Sequence, residues 1–256
     1  MNMKQTGLLA LVVLGIPQAA LVAAESDAPR TGDFAITMTS GELLGEAAEK
    51  IVSVIAIDEP ITWEVYVPEG YSVESPAGIV VYVSPSQSGT PPRGWSSVMD
   101  EHNLIWISAN KSGNRVLVPR RVLKAILALK AIQREYVLDE TRIYVAGFSG
   151  GGKIASMIAT DYANTFDGGF FICGVEFWDV DEPRHFEAIK SNRYVFLSGE
   201  HDQALRPTKR VYRNYKDAGI PHIQLVVVRD MGHTNPPRRE LSRAIEFLDN
   251  GAPGLR

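Results

Sequence analysis

The 256-residue chain contains one cysteine, Cys173, so no internal disulfide can staple the fold and its stability must come from buried apolar surface. Neither sign of charge dominates. Lys and Arg number 26 against 30 Asp and Glu, a formal net of −4, which excludes the broad basic bias of a nucleic-acid or anionic-lipid binder. The five histidines and the lone cysteine form no spaced ligand set of the kind a resident metal needs. Internal repeats and linker-like stretches are missing, and no apolar run after the first 24 residues approaches a membrane span. What is left is an ordinary composition for one α/β domain with an ample core.

Residues 1–6 carry Lys4, residues 7–22 are apolar apart from Pro17 and Gln18, and Val22-Ala23-Ala24 sets small residues before Glu25-Ser26-Asp27. This is the charged start, apolar middle and cleavage site of a secretory signal peptide, with cleavage expected after Ala24. A membrane anchor is disfavoured, because about fifteen apolar residues fall short of the roughly twenty that span a bilayer. The expected organisation is a signal peptide over 1–24, a flexible leader over 25–32 and a single domain over 33–256. That domain would be secreted or periplasmic, with no membrane contact once the signal is removed. Cys173 follows Phe170-Phe171-Ile172 and reads as a small buried hydrophobe.

Residues 34–38, 50–57 and 61–67 have strand composition, and Asp58-Glu59-Pro60 reads as a hairpin turn between the last two. From Gly78 the character changes. Residues 79–83 and 104–107 are continuous apolar runs, as expected of strands covered on both faces. Val122, Ile126, Leu129, Ile132 and Tyr136 then repeat at helical steps. Strands over 143–146, 169–172, 194–197 and 223–228 alternate with helices marked by Ile154 and Ile158, by Val211 and Tyr215, and by Leu241, Ile245 and Leu248. The fold class is therefore α/β, a mostly parallel sheet with antiparallel N-terminal strands. The helical cations Arg120, Arg121, Lys124, Lys209, Arg210 and Arg213 are expected on solvated faces.

At the centre of this pattern lies Tyr144-Val-Ala-Gly-Phe-Ser-Gly-Gly-Gly-Lys153. A strand runs into Gly147-x-Ser149-x-Gly151 and then into a helix, the pattern of a nucleophile elbow. Glycines flank the serine because a Cβ there would strike a neighbouring strand or helix. The bland reading is a glycine-rich turn with a surface serine. Gly147-x-x-x-x-Gly152-Lys153 also fits the first seven positions of a phosphate-binding loop, but Ile154 stands where its Ser or Thr must be. Lys153 is then a solvated helix residue.

A serine hydroxyl needs a base, and that base needs a carboxylate. Asp202 follows the 194–197 strand in Ser198-Gly-Glu-His-Asp202, and His233 follows the 223–228 strand in Asp230-Met-Gly-His233. Glu176, Asp179 and Asp181 remain as rival acids. With Gly147-Phe-Ser-Gly-Gly151, Gly199-Glu-His-Asp202 and Gly232-His233 in this order, the chain over 79–248 resembles the secreted α/β-hydrolases of the esterase and polyhydroxybutyrate depolymerase-like group. The resemblance implies a serine hydrolase that cleaves carboxylic esters through an acyl-enzyme, with Ser149 as nucleophile, His233 as base and Asp202 as acid. It implies no metal or organic cofactor, and a small-molecule or polymeric ester as the partner. A peptidase or acyltransferase on the same triad, and a binding protein without turnover, are the alternatives.

One feature departs from that group. The loop after the 79–83 strand, which should supply an oxyanion-binding N–H beside that of Gly150, reads Ser84-Pro-Ser-Gln-Ser-Gly89, and Pro85 has no N–H to give. Ser86 is the first choice for that donor and Gln87 the second. Phe148, Phe177, Trp178 and Trp95 are candidates for a substrate pocket. No lid domain is expected, since the stretch from Cys173 to Tyr194 is too short to form one.

Overall fold

A computed structural model of the chain describes residues 29–178 and 183–250. The signal peptide, residues 25–28 of the expected leader and the rival acids Asp179 and Asp181 lie outside these. Eight strands form one sheet in the order β1-β2-β4-β3-β5-β6-β7-β8. They are β1 (Gly32–Thr39), β2 (Pro60–Val67), β3 (Ala77–Val83), β4 (Leu104–Ala109), β5 (Leu138–Phe148), β6 (Gly168–Ile172), β7 (Arg193–Gly199) and β8 (Ile223–Val228). The β1–β2 and β2–β4 pairs are antiparallel, and every pair from β4 to β8 is parallel.

Among the described residues seven α-helices accompany the sheet: α1 (Ser40–Leu44), α2 (Ser96–His102), α3 (Val118–Ile132), α4 (Gly150–Asp161), α5 (Phe186–Ser191), α6 (Leu205–Asp217) and α7 (Arg238–Asn250). Alternate residues of the central strands feed two cores. Ile79, Val81 and Val83 of β3 face α3 and α4, whereas Val80 and Tyr82 face α2 and α7. Every residue of β3 and β4 is buried, which explains their unbroken apolar runs.

The stretch 50–57 departs from expectation. It forms no strand; a 3-10 turn over Gly45–Ile51 is followed by further turns. Thr39 starts α1 by accepting from the Glu42 N–H while Glu42 caps the Thr39 N–H, a capping box that bends the chain away from β1. Ala48, Ile51 and Ile55 then bury at steps of three and four, so the apolar run is satisfied with helical rather than alternating spacing. Nor does Asp58-Glu59-Pro60 turn a hairpin, because β2 pairs with β1, Pro60 facing Thr39. Just before β1, the Arg30 guanidinium lies over the Phe34 ring and its carbonyl accepts from Tyr136.

Register carries the site. Phe148 pairs with Ile172, Ile172 with Leu197, and Gly199 with Val228. The C-terminal ends of β5, β6, β7 and β8 therefore share one edge, where loops from separate strands meet. Between β6 and β7 the described residues hold only the short α5, and no lid domain is inserted there.

Candidate active site

Ser149 is the hinge between β5 and α4, with φ 57° and ψ −121°, a left-handed backbone that a non-glycine residue adopts only under constraint. The constraint is visible. The Ser149 N–H donates to Ile172 O at 2.7 Å, and the elbow glycines leave no space for side chains. A Cβ on Gly147 would lie 2.4 Å from Gly151 C, and one on Gly151 would lie 1.9 Å from Val83 O. The elbow is thus wedged against both its own helix and β3.

The structure brings Ser149, His233 and Asp202 into one hydrogen-bonded series. Ser149 Oγ lies 2.9 Å from His233 Nε2, and His233 Nδ1 lies 2.9 Å from Asp202 Oδ1. The Asp202 side chain is fully buried, while that of His233 is 36% exposed. Ser198 Oγ donates to Asp202 Oδ2 at 3.1 Å, and the Ala204 N–H donates to Oδ1 at 2.8 Å. Burial pushes the Asp202 carboxyl up, but the Cys173 thiol, the Ala204 amide and His233 outweigh it and hold it below its ordinary value. An ionised carboxylate only accepts, so Nδ1 carries the proton and Nε2 presents its lone pair to the serine hydroxyl.

Other sequence-selected residues fall on both sides of expectation. Phe148 stacks obliquely on His233, with ring centroids 5.0 Å apart, so it does lie at the site. Trp95 does not line a pocket: it is 2% exposed, wedged between Tyr82 and Trp106. Its Nε1–H donates to Pro236 O at 3.4 Å, which braces the loop that carries His233. Phe177 and Trp178 pack obliquely on each other and, edge-on and tilted, against Tyr215 of α6, and among the described residues their ring partners do not include His233. Glu176 is drawn off by Lys153, which it meets at 2.6 Å on the surface. Cys173 is buried as expected, and burial, followed by the Asp202 carboxylate, pushes its thiol up to about 12.

The loop after β3 folds back on itself. The Ser86 N–H donates to Ser84 Oγ at 3.1 Å, while the Gln87 N–H has no partner among the described residues and its carbonyl accepts from Lys111 at 2.7 Å. Opposite this loop, the Gly150 N–H stands ahead of the first bond of α4, Lys153 N–H to Ser149 O, and so is one of the helix's unsatisfied donors. The Asn114 side chain packs against the Gly150 Cα: a Cβ on Gly150 would lie 2.2 Å from Asn114 Oδ1.

Ser198 and Asn114 stand at the site without a sequence pattern to mark them, and two cations differ from expectation. Arg121 and Lys124 are 4% and 5% exposed, not solvated, because α3 is packed all round. The signal was present: Val122-Leu123 and the apolar run from Ala125 to Leu129 leave this part of α3 no polar face on which the two cations could sit. Lys209, Arg210 and Arg213 are exposed as expected. Glu200, His201 and Asp230 each bring a ligand atom within 4.8 Å of the others, but all three are solvated and His201 already pairs with Asp230 at 3.8 Å.

A serine on a strained strand-to-helix turn after β5, an aspartate after β7 and a histidine after β8, on a sheet of this strand order, match the α/β-hydrolase fold. Solved structures agree. The chain is similar to a ferulic acid esterase (TM-score 0.60, 17% identity, 86% of this chain and 98% of that one). It is also similar to an S-formylglutathione hydrolase from Staphylococcus aureus (TM-score 0.60, 14% identity, 88% and 100%). A third match is the candidate dipeptidyl aminopeptidase IV from Bacteroides ovatus (TM-score 0.60, 15% identity), where 85% of this chain spans 36% of that protein's length. No protein-family model matches the chain, and no curated protein matches its sequence.

Proposed function

We propose that the protein is a serine hydrolase that cleaves carboxylic esters through an acyl-enzyme. The observation that carries this reading is the continuous series from Ser149 Oγ through His233 to the buried Asp202, at 2.9 Å for each link. As Ser149 Oγ bonds to the acyl carbon, His233 Nε2 takes its proton and Asp202 stabilises the imidazolium. The carbonyl oxygen becomes an oxyanion held by the N–H groups of Gly150 and of Gln87; Gln87 is preferred to Ser86, whose amide is spent on Ser84. Collapse breaks the C–O bond, and His233 returns the proton to the departing alcohol. Water, deprotonated by the same nitrogen, then releases the acid.

The ester reading is favoured over a peptidase by coverage. This chain spans nearly all of the ferulic acid esterase and the S-formylglutathione hydrolase, but about a third of the peptidase. We propose export by the 1–24 segment and action on an ester outside the cytoplasm; no helix among the described residues is long and apolar enough to cross a membrane. The test is a fluorophosphonate label and a panel of p-nitrophenyl and aryl esters, with matched amides, on the processed protein. Ser149→Ala should abolish both labelling and turnover, and His233→Ala should come close to doing so, because triad members act as a unit. Labelling that survives in Ser149→Ala would place the nucleophile elsewhere.

A further inference from the structure

Beneath the site lies a cation that the mechanism above does not use. The Arg121 guanidinium donates in three directions: from Nε to Ser112 O at 2.8 Å, from Nη2 to Ser84 O at 3.0 Å and from Nη1 to Gly150 O at 3.3 Å. No carboxylate pairs with it among the described residues, and burial alone lowers its pKa. The narrow space lined by Val83, Ser84, Ser112 and Arg121 has no room for a water. A buried charge so placed is costly unless its hydrogen bonds are made, and here every acceptor is a main-chain carbonyl.

These carbonyls belong to three separate segments. Ser84 opens the loop that presents Gln87, Gly150 opens α4, and Ser112 lies two residues before Asn114, whose side chain packs against the Gly150 Cα. Asn114 N–H also donates to Pro85 O at 3.0 Å, and Lys111 N–H to Gln87 O. The β3 loop itself lacks the donor that Pro85 would have supplied, so its course depends on outside ties. Only a planar fork with donors on several sides meets three divergent carbonyls at once; an ammonium cannot replace it in kind.

We infer that Arg121 is the positioning residue of the oxyanion hole: it locks the β3 loop to the elbow so that the Gln87 and Gly150 amides converge on one point, and it leaves an unneutralised positive charge behind them. The inference rests on the ester-hydrolase reading. Such a residue acts on the charge that develops in the transition state, not on the substrate's ground state.

The experiment uses Arg121→Met and Arg121→Lys in the processed enzyme, with active sites counted by the fluorophosphonate burst. The readouts are kcat and KM on p-nitrophenyl butyrate and the Ki of a trifluoromethyl ketone, whose hemiketal oxyanion occupies the hole. Arg121→Met should lose about 10- to 100-fold in kcat, somewhat less than deleting a donor outright, with KM changed by no more than about threefold. The ketone's Ki should weaken in step with kcat, and Arg121→Lys should fall between Met and wild type. Undiminished kcat in a folded Arg121→Met, or a rise in KM alone, overturns the inference. Should neither variant fold, the wild type supplies the answer: the 15N Nε–H resonance of Arg121 should be protected from exchange and shift when the ketone adds, and an unshifted resonance overturns the inference. A wild type that neither labels nor turns over esters defeats the parent reading, an outcome separate from an active wild type with equally active variants.

Discussion

Half-buried Ser149 carries backbone strain of about 1–3 kcal/mol, and the residues around it hold that strain in place. Gly147, Gly151 and the carbonyl of Ile172 do so directly. Asp202 is held more elaborately, with His233 and Ala204 on one oxygen and Ser198 on the other. Asp202→Ala should therefore cost about 10²-fold or more in kcat. Ser198→Ala, which removes one donor from Oδ2 and leaves the imidazole partner in place, should cost about tenfold, the low end of what one hydrogen bond to a charge is worth. Stopped-assay kinetics on a common ester check both, and a larger loss in Ser198→Ala than in Asp202→Ala would mean that Asp202 is not the group orienting His233. At this scale the grouping of Ser149, Asp202 and His233 was legible because each follows an apolar strand, with glycine next to Ser149 and His233 and three residues before Asp202. Ser198 was not, since the sequence does not show whether the loop turns the Asp202 carboxylate back onto that hydroxyl.

Among the elements, α3 and the two loops it faces hold most of what the sequence concealed. Lys124 donates to Asn110 O and Lys111 O at 3.2 and 2.9 Å, and burial, with Arg120 and Lys111 nearby, lowers its pKa to about 8. Its unfolded value is about 10.4, so between these limits the unfolded chain binds more protons and stability rises with pH. The cost of burying the charge is full below pH 8 and is relieved as pH climbs. Denaturant titrations at steps from pH 7 to about pH 10 should show this gain in the wild type relative to Lys124→Met; parallel curves would mean that Lys124 is not titrating in the fold. In the β3 loop, Gln87→Pro removes a single N–H and should lower kcat by about 10²- to 10³-fold, whereas Ser86→Ala should stay within a few-fold. The reverse order, measured with fold checked by circular dichroism, would return the oxyanion donor to Ser86. The 50–57 stretch belongs to the same lesson: a short apolar run satisfies alternating or helical spacing equally well, and the Thr39–Glu42 cap chose between them.

The whole molecule is an eight-stranded sheet with its site on one open edge, and its openness is a property no single element holds. Among the described residues only α5 lies between β6 and β7, so a lidded enzyme's jump in rate at an interface should be absent. Hydrolysis of a sparingly soluble ester, followed through its solubility limit, should give a smooth saturation curve; a sharp rise when droplets form would show that a segment closes over the serine. The strand and helix alternation, the burial of β3 and β4 and the order of elbow, acid and histidine were determined by the sequence itself, because hydrophobic period and glycine placement are local properties of the chain. The tertiary structure alone decided that Trp95 braces the His233 loop instead of lining a pocket, that Ser86 turns its amide inward, and that Arg121 and Lys124 are buried. Each of those outcomes depends on which carbonyls and rings from distant segments surround a side chain, and proximity of that kind is created only when the sheet closes.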